Sequence, residues 1–245
     1  MAMNQLKHYI KRGGFWTIPN ERTFLYRVLS DFTATQKDKR ILDVGAGVCQ
    51  YRPLVAAHNR YESCDLKDGF HLNQKHDFLA SVYDIPRPDW HYDGVLMLQV
   101  LEHLEFPVKG LREVNRILKD GGFLFLSVPQ AAGDHFEPYH FFNYTQFGLR
   151  SVFGQAGFEI TQHHRLAGMF TYVGNRLDKL GSIAFNQWRK RNPVVAVLIL
   201  PFAFLCSIAG WLVSRFDFLD RDKKYCIGHI VIARKIKHLE KGSHE

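Results

Sequence analysis

Arg40-Ile41-Leu42-Asp43-Val44-Gly45-Ala46-Gly47 is a short apolar run closed by an acid and two glycines. Such a run marks a buried parallel strand that passes straight into a tight turn. Glycines at that turn let a ligand come close to the backbone. Upstream, Phe24, Leu25, Val28, Leu29 and Phe32 recur at helical spacing between Glu21 and Ala34, which predicts an amphipathic helix packed on the downstream chain. Beyond the turn, strand character returns at residues 61–65, 77–80, 94–98 and 122–128, with helical patterns or polar loops between. The segment 111–118 carries apolar residues three and seven apart, and Lys119-Asp120-Gly121-Gly122 supplies the glycines expected at a helix C-terminus. A further helix is expected over 143–156, a strand over 157–161 and a last strand over 226–233. The alternation is that of an α/β fold.

Composition agrees with a folded chain. The 245 residues allow one large domain or two small ones, and 46% apolar content excludes disorder for the bulk of the chain. A net charge of +8 favours anionic surroundings without choosing among phospholipid, phosphate and nucleic acid. The four cysteines form no CxxC pair, so a reduced, cytoplasmic setting is the expectation. Residues 1–16 lack the unbroken apolar stretch of a secretory signal.

In open α/β sheets, ligands bind at the carboxyl ends of the strands, which is where Asp43, Gly45 and Gly47 fall. A dinucleotide fingerprint needs a third glycine where this chain has Gln50, and here the acid precedes the glycines, so a nicotinamide oxidoreductase is disfavoured. The turn suits a ligand with a cationic amino-acid end, whose ammonium Asp43 can attract. Asp65 ends the next strand 18 residues after Gly47, close to the spacing of about 20 at which an acid takes ribose hydroxyls. Asp84 with Ile85, after the third strand, could accept from an exocyclic adenine amine and cover the ring; an Asx turn before Pro86 is the alternative.

At Leu96-Met97-Leu98-Gln99-Val100-Leu101-Glu102-His103-Leu104 a buried strand is expected to run directly into a helix start. Taken together, ILDVGAG, the acid at Asp65, YDIP, LQVLEHL, LREVNRILKDGGFLFLSVP and HFEPYHFFNYT followed by GQAGFEI resemble the class I S-adenosylmethionine-dependent methyltransferases, and among them the bacterial methyltransferase-type-11 domain proteins. The resemblance covers residues 38–165 and the final strand. It implies a Rossmann-like, seven-stranded, mostly parallel sheet with the last strand antiparallel, and S-adenosyl-L-methionine as cofactor. Carried over by position, Asp43, Gly45 and Gly47 surround the methionine part, Asp65 the ribose, Asp84 and Ile85 the adenine, and Gln99 the floor beside the sulfonium. Cys49 departs from the family where many members have a further glycine, and Asp120 replaces a proline common before the paired glycines.

Methyl transfer asks mainly for alignment, because the sulfonium already activates the methyl group. A hydroxyl acceptor would gain from a general base. The candidates are His103 at the expected helix start, and His135 and His140 in an aromatic loop expected to wall the acceptor pocket. No metal site is expected: His163 and His164 are adjacent on a strand and point to opposite faces. Nucleic acid is not an expected partner. A module that binds the cofactor for regulation or assembly without turnover is the rival to the enzyme.

The anomaly is Val194 to Val213, with no charge over 20 residues. Three segments are therefore expected: an N-terminal helical segment, 1–37; the cofactor-binding domain, 38–166 with 224–236; and an apolar helical insert, 167–223, before the last strand. Both ends of the insert must rejoin one sheet, which excludes a single membrane crossing, and Pro201 is expected to kink the run into two pieces. Trp188 and Trp211 near its ends, with Arg189, Lys190 and Arg191 before it, resemble interfacial anchors. The expected partners are a small-molecule or lipid-linked acceptor and, through 188–214, a membrane surface contacted peripherally at the inner face of the cytoplasmic membrane. A buried hairpin or a homodimer interface is the alternative use of the same run.

Overall fold

A computed structural model describes residues 21–66 and 75–236; the N-terminal expectation for residues 1–20 lies outside this range. The elements in order are α1 (Glu21–Thr35), β1 (Arg40–Val44), β2 (Arg60–Asp65), β3 (Phe78–Leu79), β4 (Tyr92–Leu98), α2 (Pro107–Ile117), β5 (Leu118–Pro129), α3 (Gln146–Gln155), β6 (Phe158–Leu166), α4 (Met169–Arg191), α5 (Pro193–Ser214) and β7 (Gly228–Lys235). Seven strands form one sheet in the order β3-β2-β1-β4-β5-β7-β6. β1 pairs in parallel with both β2 and β4, and β7 runs antiparallel to β5 from Phe123↔Arg234 to Pro129↔Gly228. This is the expected doubly wound, Rossmann-like architecture. The strand order reverses around β1 and β4, so the crevice outside their carboxyl ends is the switch point where such sheets take ligands.

The reason for the central strands is plain from their burial. Val95, Leu96, Met97 and Leu98 are all buried, as are Ile41, Leu42 and Val44, the continuous apolar runs that a strand covered on both faces requires. α2 lays Leu111, Val114 and Ile117 on this core, and α1 sets Phe32 edge-on to Phe123 at 4.9 Å between ring centroids.

Two local expectations fail. Lys119 to Gly122 do not cap α2: the helix ends at Ile117, Leu118 is already extended, and the glycines lie inside β5. The buried Leu118 pairs with Tyr92 of β4, and sheet pairing together with burial overrides the glycine signal. Nor does β4 run directly into a helix: Leu101–His103 form a single 3-10 turn, and α2 begins only at Pro107.

The chain divides into two compact units, one comprising Leu25–His164 and the chain from Gly228 on, the other containing Arg165–Ile227. The second unit is a helical hairpin. α4 and α5 are joined through Asn192, whose side chain accepts from the amides of Val194 and Val195. The two helices approach at small residues: a Cβ on Gly174 would lie 2.4 Å from the Gly210 carbonyl oxygen, and one on Gly181 2.8 Å from the Ala203 Cα. Asp178 accepts from Ser207 across this contact at 2.6 Å. Asp217 and Asp220 accept the amides of Gly168, Thr171 and Met169, which fixes the start of α4. Pro201 does not split the apolar run; α5 continues through it from Pro193 to Ser214, with close packing against α4 at Ala203 and Gly210 beyond the proline.

Candidate active site

The carboxyl edge of the sheet is built first by the β1 turn. Gly45 takes φ +68°, its amide and that of Ala46 both donate to the Cys64 carbonyl, and a Cβ at this position would meet Val100 Cγ2 at 2.6 Å. Gly47 takes φ +55°. Cys49, where the sequence departs from the family, also has positive φ (+53°), a conformation glycine would adopt more cheaply. Asp43 is fully buried. Its Oδ2 accepts from the Tyr61 hydroxyl at 2.6 Å, while Oδ1 has no partner among the described residues. Burial pushes its carboxyl up to about 7, against the pull of the Tyr61 hydrogen bond, with Asp65 adding repulsion. A cationic group could satisfy this buried, unpaired carboxyl oxygen.

Asp65 receives two backbone amides, Gly47 at 2.7 Å on Oδ2 and Leu66 at 2.7 Å on Oδ1, so one carboxylate braces the glycine turn and the end of β2 while each oxygen keeps acceptor capacity. Gln99 sits just past β4 with φ +60°; its amide donates to the Ser127 carbonyl and its side-chain nitrogen to Ser127 Oγ at 2.9 Å. Held backbone strain of this kind gathers at ligand sites. Asp84 is exposed and forms an isolated bridge with Ser81. Ile85 is instead a core residue, 1% exposed, its amide held by Glu113 at 2.7 Å; the aliphatic surface open beside Asp65 belongs to Leu66 and Leu79.

The histidines converge. His103, in the 3-10 turn after β4, and His135 and His140, in the loop after β5, lie with ring centroids 4.9 Å (103–135), 4.3 Å (135–140) and 5.9 Å (103–140) apart. Beside them is Glu102, completely buried, neither oxygen hydrogen-bonded among the described residues, its carboxyl pushed up to about 8 by burial. Burial also lowers the His103 imidazole below its ordinary value, against the Tyr139 carbonyl that it bonds. His163 meets His229 of β7, at 2.9 Å between ring nitrogens. Tyr61 and Glu102 are members of this edge that the motifs did not reveal. The signal for Glu102 was a lone carboxylate inside the apolar string LQVLEHL; Tyr61 is recognisable only once β2 is paired with β1.

Residues 20–163 match the methyltransferase domain family. The chain belongs to that family. A Schizosaccharomyces pombe protein described as an uncharacterized methyltransferase is 46% identical over 46 residues, which is 19% of this chain and 16% of that protein. Among solved structures, the cyclase SpnF superposes with TM-score 0.55 at 21% identity, covering 88% of this chain and 80% of that one. MccD protein gives 0.54 at 14% identity, with 85% and 96% covered. The 1,6-didemethyltoxoflavin-N1-methyltransferase of Burkholderia thailandensis, with S-adenosylhomocysteine bound, gives 0.52 at 15%, with 86% and 78% covered. These likenesses are of fold. The residues present suit S-adenosylmethionine as a cofactor: the orphaned oxygen of Asp43 offers a partner for an ammonium, and Asp65 has acceptor capacity for a diol.

Proposed function

We propose that this methyltransferase transfers its methyl group to an oxygen of a hydrophobic acceptor, a lipid-linked, quinone-like or cell-envelope glycan molecule, met at a membrane surface. The observation that carries the acceptor class is α5. It has 22 residues, about 33 Å of helix at about 1.5 Å per residue, and only 17% of its most apolar stretch lies inside the fold, with Leu198 and Val194 as open as 74% and 68%. An apolar helix left this bare exposes a large area of apolar surface to water, a cost that covering it would remove. Its companion α4 ends in Arg189, Lys190 and Arg191, the charge an anionic bilayer surface attracts. α4 also carries Arg176, Asp178 and Lys179, and both ends of the hairpin continue into strands of one sheet. Those features favour an element lying in the interface over one crossing the bilayer.

At the cofactor end, Asp43 holds the ammonium group, Asp65 the ribose hydroxyls, and Gln99 the floor near the reacting centre; Asp84 remains the assignment for the adenine amine. Bound S-adenosylmethionine supplies an activated methyl group. The chain's part is to align an acceptor oxygen with it, and the His103, His135 and His140 cluster is the polar group at this edge able to hold that oxygen or take its proton. Transfer of labelled methyl from the cofactor into fractionated lipid and glycan extracts tests the proposal. Label appearing only in water-soluble small molecules would refute the acceptor class. A second reading, reaction or binding without methyl transfer, has one point in its favour: the structurally similar SpnF is described as a cyclase. Consumption of the cofactor with formation of S-adenosylhomocysteine decides between them.

A further inference from the structure

The polar cluster at the ends of β4 and β5 has an arrangement that acid–base chemistry alone does not require. Glu102, His103 and His135 each bring one ligand atom within 4.8 Å of the other two. Glu102 is 0% exposed with both oxygens unpartnered among the described residues, and the His140 side chain, 3% exposed, has neither ring nitrogen hydrogen-bonded there. Leaving so many buried polar atoms unsatisfied is costly, most of all for a charged group, unless a ligand takes them up.

Backbone carbonyls settle which nitrogens are free. His103 Nδ1 lies 2.7 Å from the Tyr139 carbonyl and His135 Nδ1 lies 3.0 Å from that of Gly133. A carbonyl only accepts, so in both rings Nδ1 carries the proton and Nε2 keeps its lone pair. That is the tautomer a metal-binding histidine needs, fixed in the way outer partners fix it. His103 Nε2 is 3.9 Å from Glu102 Oε1. Ligands about 2.0–2.2 Å from a tetrahedral zinc stand about 3.4 Å apart, so the trio needs only a small side-chain contraction to close on an ion.

We propose that Glu102, His103 and His135 form a binding site for a first-row divalent cation of the zinc type, with His140 beside it. Two imidazoles and one carboxylate select a borderline transition ion over magnesium or calcium, which prefer all-oxygen surroundings. Three protein ligands leave a fourth position open, as in catalytic rather than structural sites. That position takes the oxygen of the methyl acceptor; this last step rests on the methyl-transfer reading, whereas ion binding does not.

Zinc chloride titrated calorimetrically into the chelator-stripped, dialysed full chain tests the site, with cobalt(II) as a spectroscopic substitute. One high-affinity site is expected, with visible cobalt absorption typical of nitrogen and oxygen ligands. Glu102→Gln and His135→Ala, each checked for folding by circular dichroism and melting, should weaken zinc binding at least tenfold, whereas His163→Ala should leave it unchanged. Absence of a stoichiometric site in the wild type, or wild-type affinity in both Glu102→Gln and His135→Ala, would overturn the proposal. Because Glu102 is buried, His135→Ala, at a less buried position, keeps the test valid if Glu102→Gln unfolds. Removal of the ion should slow methyl transfer without changing cofactor affinity. If zinc binds as described but its removal leaves turnover intact, the acceptor role is wrong and the ion site stands; if no methyl transfer occurs with any metal content, it is the methyl-transfer reading that falls.

Discussion

Replacing Asp43 by Asn exchanges stability for cofactor binding, and pH separates the two effects. In the folded chain the Asp43 carboxyl rises from 3.8 to about 7, chiefly by burial. An acid with a higher pKa folded than unfolded keeps a proton in the fold that the unfolded chain has already released. Its stabilising contribution is therefore present at low pH and is lost as pH rises from about 4 to about 7. The gap is about 3 pK units, and at about 1.4 kcal/mol per unit the full loss is about 4 kcal/mol. Asn cannot ionise, has the same shape, and still offers an oxygen to the Tyr61 hydroxyl. The stability of Asp43→Asn relative to wild type should thus rise by about 1.4 kcal/mol per pH unit between pH 4 and 7 and level off above. Any cost of burying the new amide is constant with pH and leaves that slope intact. Urea unfolding followed by tryptophan fluorescence at pH 4.5, 6 and 8 measures it. Parallel stability profiles for the two proteins would refute the burial argument. With saturating S-adenosylmethionine at pH 8 the order should reverse toward wild type, because an ammonium satisfies the ionised carboxylate that Asn lacks.

Asp65→Ala should weaken S-adenosylmethionine binding by about 1.5–3 kcal/mol by calorimetry, the scale of hydrogen bonds to a charged group; an unchanged Kd in a folded variant removes Asp65 from the ribose role. Gly45→Ala forces a Cβ to within 2.6 Å of Val100 and keeps a positive φ, so it should destabilise by about 1–3 kcal/mol in chemical denaturation. His140→Ala should lower turnover about 100-fold with cofactor affinity kept, as loss of a proton-transfer or acceptor-holding group does; full activity would leave alignment alone at work. Leu198→Asp with Leu205→Asp should abolish flotation with anionic phospholipid vesicles at low salt, and a wild type that never floats would defeat the membrane contact.

How much of this was legible in the sequence differs by element. β1, β4 and their turn could be read because both faces of these strands are buried, and burial writes itself as uninterrupted Ile, Leu, Val and Met. The end of α2 could not: Gly121 and Gly122 look like a helix stop, and only pairing of Leu118 with Tyr92 shows that the strand had already begun. Asp43 and Asp65 stand at fixed spacings from the glycines, so local chemistry exposes them. Glu102 and the three histidines come together only because β4 and β5 are neighbours, a fact of sheet order that no spacing along residues 102 to 140 encodes. Ile85 was placed by motif and is held in the core by Glu113, a contact spanning 28 positions.

The place of the hairpin in the strand order governs how the chain can be assembled during synthesis. β6 has one neighbour in the sheet, β7, and β7 emerges only after residues 167–227 have been made. At about 5–20 residues per second, the ribosome needs about 3–12 s to cover that stretch. Throughout it the edge of β5 is bare and β6 has nothing to join. α4 and α5, which contact each other locally in sequence, can pair within that window. The bare apolar helix is therefore made before the sheet is closed, and anything that covers it at that stage meets a nascent chain whose sheet is not yet complete.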